Sequence, residues 1–321
     1  TACHYCTWNC WSGVPQSNAE RGLVGKCDMC RGRLELGQAP ACVSACPEGA
    51  IEIEVVRTAD WRAAVAAASS TGVPVLDHSL STTRVSVADD LPPDTRPRDI
   101  THVVPEHAHW SLIVMTVLTQ LSVGAFVAIW LLQLFGGSAG LGTAALVSLG
   151  VASLALGAAT LHLGRPLHAY RALRMWRRSW LSREVLLFTA FSTIAGIYAG
   201  VLWFQLPGGA LVGAVTALVG IAGVTASGCI YRVPSRPSWN SRYTLIEFNL
   251  TAGILGPLFV LATAAGDATW LVGTTMAMGA GQFVLLALRF FPCVSSDSLE
   301  LRGTARLLST VLAPRVLVRG L

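Results

Sequence analysis

The sequence predicts a chain of two unlike parts, a small cysteine-dense α+β domain followed by an all-α polytopic membrane helix bundle. Three observations lead there. Seven of the nine cysteines fall within the first 46 residues. Six apolar stretches, each long enough at about 20 residues to cross a bilayer as a helix, fill most of the remaining sequence. The charge divides in the same way: residues 1–108 hold 9 Lys+Arg against 13 Asp+Glu (net −4), and residues 109–321 hold 14 against 5 (net +9). With 53% hydrophobic residues, 13% charged residues and a mean hydropathy of +0.55, the 321-residue chain is far from an average soluble protein. The basic excess sits in short loops between apolar segments, which orients a membrane protein and argues against nucleic-acid binding.

The cysteines come first. Cys3, Cys6 and Cys10 are spaced C-x2-C-x3-C, and Cys27, Cys30, Cys42 and Cys46 are spaced C-x2-C-x11-C-x3-C with Pro47 behind them. Thiolates are soft ligands, and three close together plus one remote are the usual supply for a cubane 4Fe–4S cluster. In two-cluster ferredoxins the fourth Cys of each motif ligates the other motif's cluster. On that rule Cys27, Cys30, Cys42 and Cys10 bind one cluster, and Cys3, Cys6 and Cys46 bind a second that lacks one ligand. The missing Cys is expected three residues before Cys3, beyond Thr1. With no initiator Met and no signal peptide in view, the sequence reads as a fragment, truncated at the N-terminus and at the C-terminus. Zinc accounts for the C-x2-C pairs but not for the C-x3-C-P ending or the interlocked triplets. Short repeated spacings also favour metal over a disulfide framework. Trp11 stands where Pro commonly follows the fourth Cys, a change of packing that removes no ligand. Residues 1–56 are therefore read as a bacterial-type double-cluster ferredoxin domain, incomplete at its start.

Residues 57–106 lose the cysteines and gain Pro, Asp, Ser and Thr. Asp60–Ser69 reads as a short Ala-rich helix, and DDLPPDTRPRD as an extended, Pro-stiffened tether. The membrane part, 107–321, is expected to hold helices near 111–135, 141–162, 184–206, 210–231, 245–265 and 268–290, with a seventh beginning within 307–321. Between Glu184 and Arg232 lie 47 residues without a charge, broken only at Pro207-Gly208-Gly209. Trp110, Trp180, Trp203, Trp239 and Trp270 fall at or near segment ends, as interfacial anchors do.

The loops alternate in charge. Those after the first, third and fifth helices carry only Asp267, whereas the others carry Arg165, Arg171, Arg174, Arg177, Arg178 and Arg183, then Arg232, Arg236 and Arg242, then Arg302 and Arg306. The basic loops share a side with the cysteine domain, and the positive-inside rule makes that side cytoplasmic.

Two ionisable residues stand at the ends of apolar segments on that side. His162 closes the second helix and Glu184 opens the third. Oxidising a quinol releases two protons with two electrons, so a quinol site needs proton acceptors, and a His with a carboxylate at head-group level would serve. Ionisable groups at membrane depth are costly and often functional. The plain alternative is electrostatic: His162 complements one helix C-terminus, and Glu184, at N2 after Ser182, complements the next N-terminus. Glu247, in the first turn of the fifth helix, is a weaker candidate. His168 and the arginines read as a solvated face, or as a docking face for the acidic cysteine domain. No His follows His168, so haem, which commonly needs paired axial His, is not expected. A transporter or ion pump with an accessory ferredoxin would need a polar path through spans that are nearly free of charge.

The segment CHYCTWNC…GLVGKCDMCRGRLELGQAPACVSACPEGAI also resembles the iron–sulfur subunit of the dimethyl sulfoxide reductase family over residues 2–53. HLGRPLHAYRALRMWRRSWLSREV, with EHAHWSLIVMTVLTQLSVGAF and YRVPSRPSWNSRYT, is similar to that family's membrane anchor subunit over 106–321. The resemblance implies four 4Fe–4S clusters in the full pattern, two of them within this sequence. It also implies an eight-helix anchor, menaquinol as reductant and a molybdopterin catalytic subunit as partner. The family's His of the HLG motif and Glu of the S-x-E motif, implicated in menaquinol oxidation, fall on His162 and Glu184. Cluster and anchor subunits are often separate chains; here they are fused.

Overall fold

The structure is a computed structural model. It describes residues 5–10, 14–18, 21, 23–67, four positions between 84 and 92, 109–136, 139–161, 163, 166–264, 269–296 and 299–315. Cys3, Trp11, His162, Arg165 and most of the linker expected at 57–106 lie outside the described residues. The chain forms two units, one within His4–His102 and one within Val103–Leu321.

The first unit is built from short pieces: α1 (Tyr5–Asn9), β1 (Gln16–Asn18), β2 (Leu23–Gly25), α2 (Arg31–Glu35), α3 (Ala41–Ala45) and α4 (Thr58–Ala67). The two strands pair antiparallel, with Ser17 opposite Val24. Among its described residues only Pro40 is buried. The Ala-rich helix α4 lies two residues earlier than the sequence suggests, at Thr58–Ala67.

The second unit holds six helices long and apolar enough to cross a membrane. They are α5 (Trp110–Leu134), α6 (Leu141–Leu161), α7 (Trp180–Trp203), α8 (Gly209–Ile230), α9 (Arg242–Thr263) and α10 (Thr269–Ser295). α11 (Leu299–Ser309) comes after them; it begins ahead of the seventh helix expected within 307–321 and, at 11 residues, is too short to cross. α5 is the most buried of the six and packs against α6, α8 and α9.

Small residues govern this packing, because in lipid close backbone approach replaces the hydrophobic drive between helices. A Cβ on Gly124 of α5 would lie 1.9 Å from the Ala252 carbonyl oxygen of α9, and one on Gly256 would lie 2.0 Å from the Gly124 carbonyl carbon. On α8, Gly213 makes room for Trp130 and Tyr198, Gly220 for Val123 and Phe191, and Gly223 for Phe188. Phe126 and Phe191 meet edge to face at 5.6 Å in the resulting core. A few hydrogen bonds tie helices together: Ser122 Oγ donates to the Ser148 carbonyl (2.8 Å) and Tyr198 Oη donates to Gln133 Oε1 (2.8 Å).

Three expectations are corrected. α7 opens at Trp180, not near 184, because Ser179 caps it, its side chain accepting from the Ser182 N–H. α9 opens at Arg242 rather than 245, which places Glu247 beyond the first turn. α10 continues to Ser295 through Pro292, where the missing N–H costs one late rung of the ladder. The segment between α6 and α7 is not plain loop either, since Pro166–Met175 forms a 3-10 helix.

Candidate functional site

The basic-loop end of the bundle is where α5, α7 and α9 begin and α8 and α10 end. Glu184 lies there as the fifth residue of α7, a full turn beyond the Ser179 cap. That position removes the N2 reading, and Glu184 is only 6% exposed. Its neighbour Arg183 does not neutralise it. The Arg183 guanidinium donates to the carbonyls of Trp176 (3.0 Å) and Arg177 (2.8 Å) and lies 4.4 Å over the Trp180 ring. Among the described residues no basic side chain forms an ion pair with Glu184.

Hydroxyl groups face it instead. Ser227 of α8 is the side chain presented to the Glu184 carboxyl. Ser227 is 2% exposed, and its Oγ meets no partner at hydrogen-bonding geometry among the described residues. Tyr231 at the end of α8 is within electrostatic reach of Glu184, and its hydroxyl is paired with Thr116 of α5. Burial, with the Glu184 charge adding to it, pushes the Tyr231 phenol up to about 12. Tyr231 therefore stays neutral at working pH and acts as a hydrogen-bonding group, not a base. Its ring meets Trp239 at 5.8 Å and Phe248 at 5.4 Å. A buried acid, a buried hydroxyl and three aromatic rings thus share one end of the bundle. Sequence reasoning missed Ser227, Tyr231 and Thr116; no spacing marks them, and Ser and Thr in apolar helices usually bond back to their own helix.

Glu247 differs from Glu184. It forms an ion pair with Arg289 of α10, both side chains being largely withdrawn from solvent. Arg289 also donates to the Ser238 carbonyl (2.9 Å). This carboxylate is occupied in tying α9, α10 and the α8–α9 loop together.

In the first unit, Cys6 lies in α1 with Cys10 just past its end, Cys42 lies in α3, and Cys46 ends that helix. Cys27 and Cys30 flank a turn in which Met29 (φ 58°) and Cys30 (φ 51°) are left-handed, held by a Cys30 N–H bond to Asp28 Oδ1 (2.9 Å). Cys6, Cys10, Cys27, Cys30, Cys42 and Cys46 are all free thiols. Backbone N–H groups of Met29 and Ala50 donate to the sulfurs of Cys27 (3.4 Å) and Cys46 (3.3 Å). The Ala50 bond, with weaker ones behind it, draws the Cys46 thiol below its ordinary range. Free thiols with N–H donors on sulfur suit iron–sulfur ligation. Among the described residues, however, no three of the Cys, His, Asp and Glu side chains converge as a metal-ligand set.

A bundle of six membrane-length helices joined to a thiol-rich domain defines the class as a multi-pass membrane protein carrying a small cysteine domain. The chain belongs to the DMSO reductase anchor subunit (DmsC) family, whose model matches residues 106–289, and residues 1–56 match a 4Fe–4S dicluster domain. It is 31% identical over 180 residues to the C subunit of the sulfite dehydrogenase of Allochromatium vinosum, covering 49% of this chain and 55% of that protein. It is 48% identical over 50 residues to the probable anaerobic dimethyl sulfoxide reductase chain YnfG of Escherichia coli K12, covering 16% and 24%. With the iron–sulfur subunit of the nitrate-inducible formate dehydrogenase of Escherichia coli K12 it shares 41% over 66 residues, 19% and 22% of the two chains. The chain thus spans about half the length, or less, of these curated relatives. No solved structure matches it.

Proposed function

We propose that this chain is the quinol-oxidising, electron-transfer subunit of a dimethyl sulfoxide reductase-like complex. Its reductant is menaquinol in anaerobic respiration, and its partner is a separate molybdopterin catalytic subunit. One observation carries the reading: among the described residues, a carboxyl group buried in a membrane helix has no ion-pair partner and faces the buried Ser227 hydroxyl. Glu184 takes a proton from one quinol hydroxyl as the ring loses its electrons, and Ser227 completes its hydrogen bonding on the same ring oxygen. His162 is the acceptor for the second proton. Tyr231, Trp239 and Phe248 offer flat surfaces for the ring. Glu247 holds the frame.

In this reading Cys27, Cys30, Cys42 and Cys10 hold one 4Fe–4S cluster, and Cys3, Cys6 and Cys46 belong to a second. Bound there, the clusters would supply a one-electron relay between the quinol and the partner subunit. The loop charges support the cytoplasmic membrane as the location, with the cysteine domain on the cytoplasmic side.

Glu184→Gln tests it. The variant keeps its cluster signals, and its oxidation of a menaquinol analogue in membranes falls by about 10²–10⁴-fold, the usual worth of a positioned proton acceptor. Unchanged oxidation kinetics would remove Glu184 from the mechanism. A second reading has its own support: a relative aligned over 180 residues is named as a dehydrogenase subunit. In it the same residues deliver protons to a quinone while electrons flow inward from a substrate. Presenting the complex with quinol or with quinone separates the two.

A further inference from the structure

The 3-10 helix Pro166–Met175 has three residues per turn, so side chains three apart eclipse one another in straight stripes. Its sequence sorts into three. Leu167, Tyr170 and Leu173 form an apolar stripe that Trp176 extends at the same spacing, and all four are exposed, Leu167 at 89% and Trp176 at 50%. His168, Arg171 and Arg174 form the next stripe, extended by Arg177. The third runs through Pro166, Ala169, Ala172 and Met175; Ala169 and Ala172 are half-buried and Met175 is exposed. The segment packs against α6 and α7, and small side chains are what such packing requires.

Two unlike stripes are left side by side. Arg171, Arg174, Arg177 and Arg178 are exposed, and none of them forms an ion pair among the described residues. Arg171 lies 5.9 Å from the Tyr170 ring centroid and Arg177 lies 5.3 Å from that of Trp176, so aromatic faces steady the guanidinium groups. Trp180, the first residue of α7, is exposed beside them and marks the level of the bilayer interface. A soluble acidic partner satisfies the arginines but leaves the aliphatic and aromatic stripe wet. A neutral lipid does the reverse. An anionic phospholipid satisfies both, acyl chain against one stripe and headgroup against the other.

We propose that residues 166–180 are an interfacial foot that binds anionic phospholipid, with Arg171, Arg174, Arg177 and Arg178 gripping the phosphodiester and Leu167, Tyr170, Leu173 and Trp176 lying in the acyl boundary. The guanidinium fork suits phosphate oxygens. The site lies at the turn leading directly into α7, so bound lipid steadies the entry of the helix that holds Glu184.

The test uses the full chain in mixed micelles doped with phosphatidylglycerol or phosphatidylcholine, with bound lipid read by native mass spectrometry. The wild type retains phosphatidylglycerol at least about tenfold more strongly, as expected for several arginines at a charged surface. The preference weakens but persists when the four arginines are replaced by Lys, which keeps the charge and loses the fork, disappears when they are replaced by Gln, and is unaffected by R302Q/R306Q on α11. Equal retention of the two lipids by the wild type overturns the proposal, even if the Gln variant fails to insert. So does a preference that R302Q/R306Q abolishes, or displacement of phosphatidylglycerol by an acidic peptide at equal concentration, which would assign the surface to a protein partner.

Discussion

In the cysteine region Leu34, Leu36, Ile51, Ile53, Val55 and Val56 are all exposed, and Pro40 alone is buried among the described residues. In the membrane bundle Val123, Phe126, Ile129, Phe191, Tyr198 and Val224 are fully enclosed. The contrast concerns what holds each region together. The bundle is held by direct helix contact, with glycines setting the spacing. The cysteine region has no comparable apolar interior among its described residues, and small domains of that kind draw folding energy from bound metal. A domain of that kind depends on its cofactor in a way the bundle does not.

The largest expected effect separates the two regions outright. Stripping iron with a chelator, or replacing Cys27, Cys30 or Cys42 by Ser, removes a cluster's paramagnetic signal and opens residues 5–67 to protease, while the helical circular dichroism of the bundle persists. A cysteine region that stays protease-resistant without metal would erase the contrast. Next comes the Glu247–Arg289 pair. Glu247→Gln leaves a withdrawn Arg289 without its counter-charge and lowers bundle stability by about 3–5 kcal/mol, whereas E247Q/R289Q recovers part of the loss. Thermal unfolding in micelles measures both, with R289Q completing the cycle; a double-variant loss equal to the sum of the two single losses would mean the two residues act separately. Comparable to it is Gly256→Ala, whose Cβ would lie 2.0 Å from the Gly124 carbonyl carbon and must push backbone from backbone, at a cost of about 3 kcal/mol or more in the same assay.

Much of the architecture was legible because lipid imposes a coarse rule: long uncharged runs become spans, and six did. Glu184 was legible for the same reason, as a charge at the edge of a 47-residue uncharged run. Its depth was not, because Arg183 reads as loop and conceals that the helix has already begun at Trp180. Arg183 is tolerated there only because backbone carbonyls and the Trp180 ring absorb it. The partner of Glu247 was hidden by distance, Arg289 being 42 residues away. The stripes between α6 and α7 were in plain sight at a period of three, but a run of arginines is ordinarily read as solvated loop. The cysteine spacings made the domain type readable. Which thiols come together depends on the three-dimensional path between the motifs, and spacing alone does not contain it.

The crossing of Gly124 over Gly256 has a mechanical consequence. Backbone touches backbone there, so α5 and α9 meet at a fulcrum with no side chain to cushion it. Thr116, which holds Tyr231, lies about 12 Å along α5 from that point, and Glu247 lies about 13 Å along α9. Each helix is thus a lever with a polar group at its tip. A single methyl group forced in at that crossing pushes the two helices apart, and the tips carrying Thr116 and Glu247 at the basic-loop end move with them.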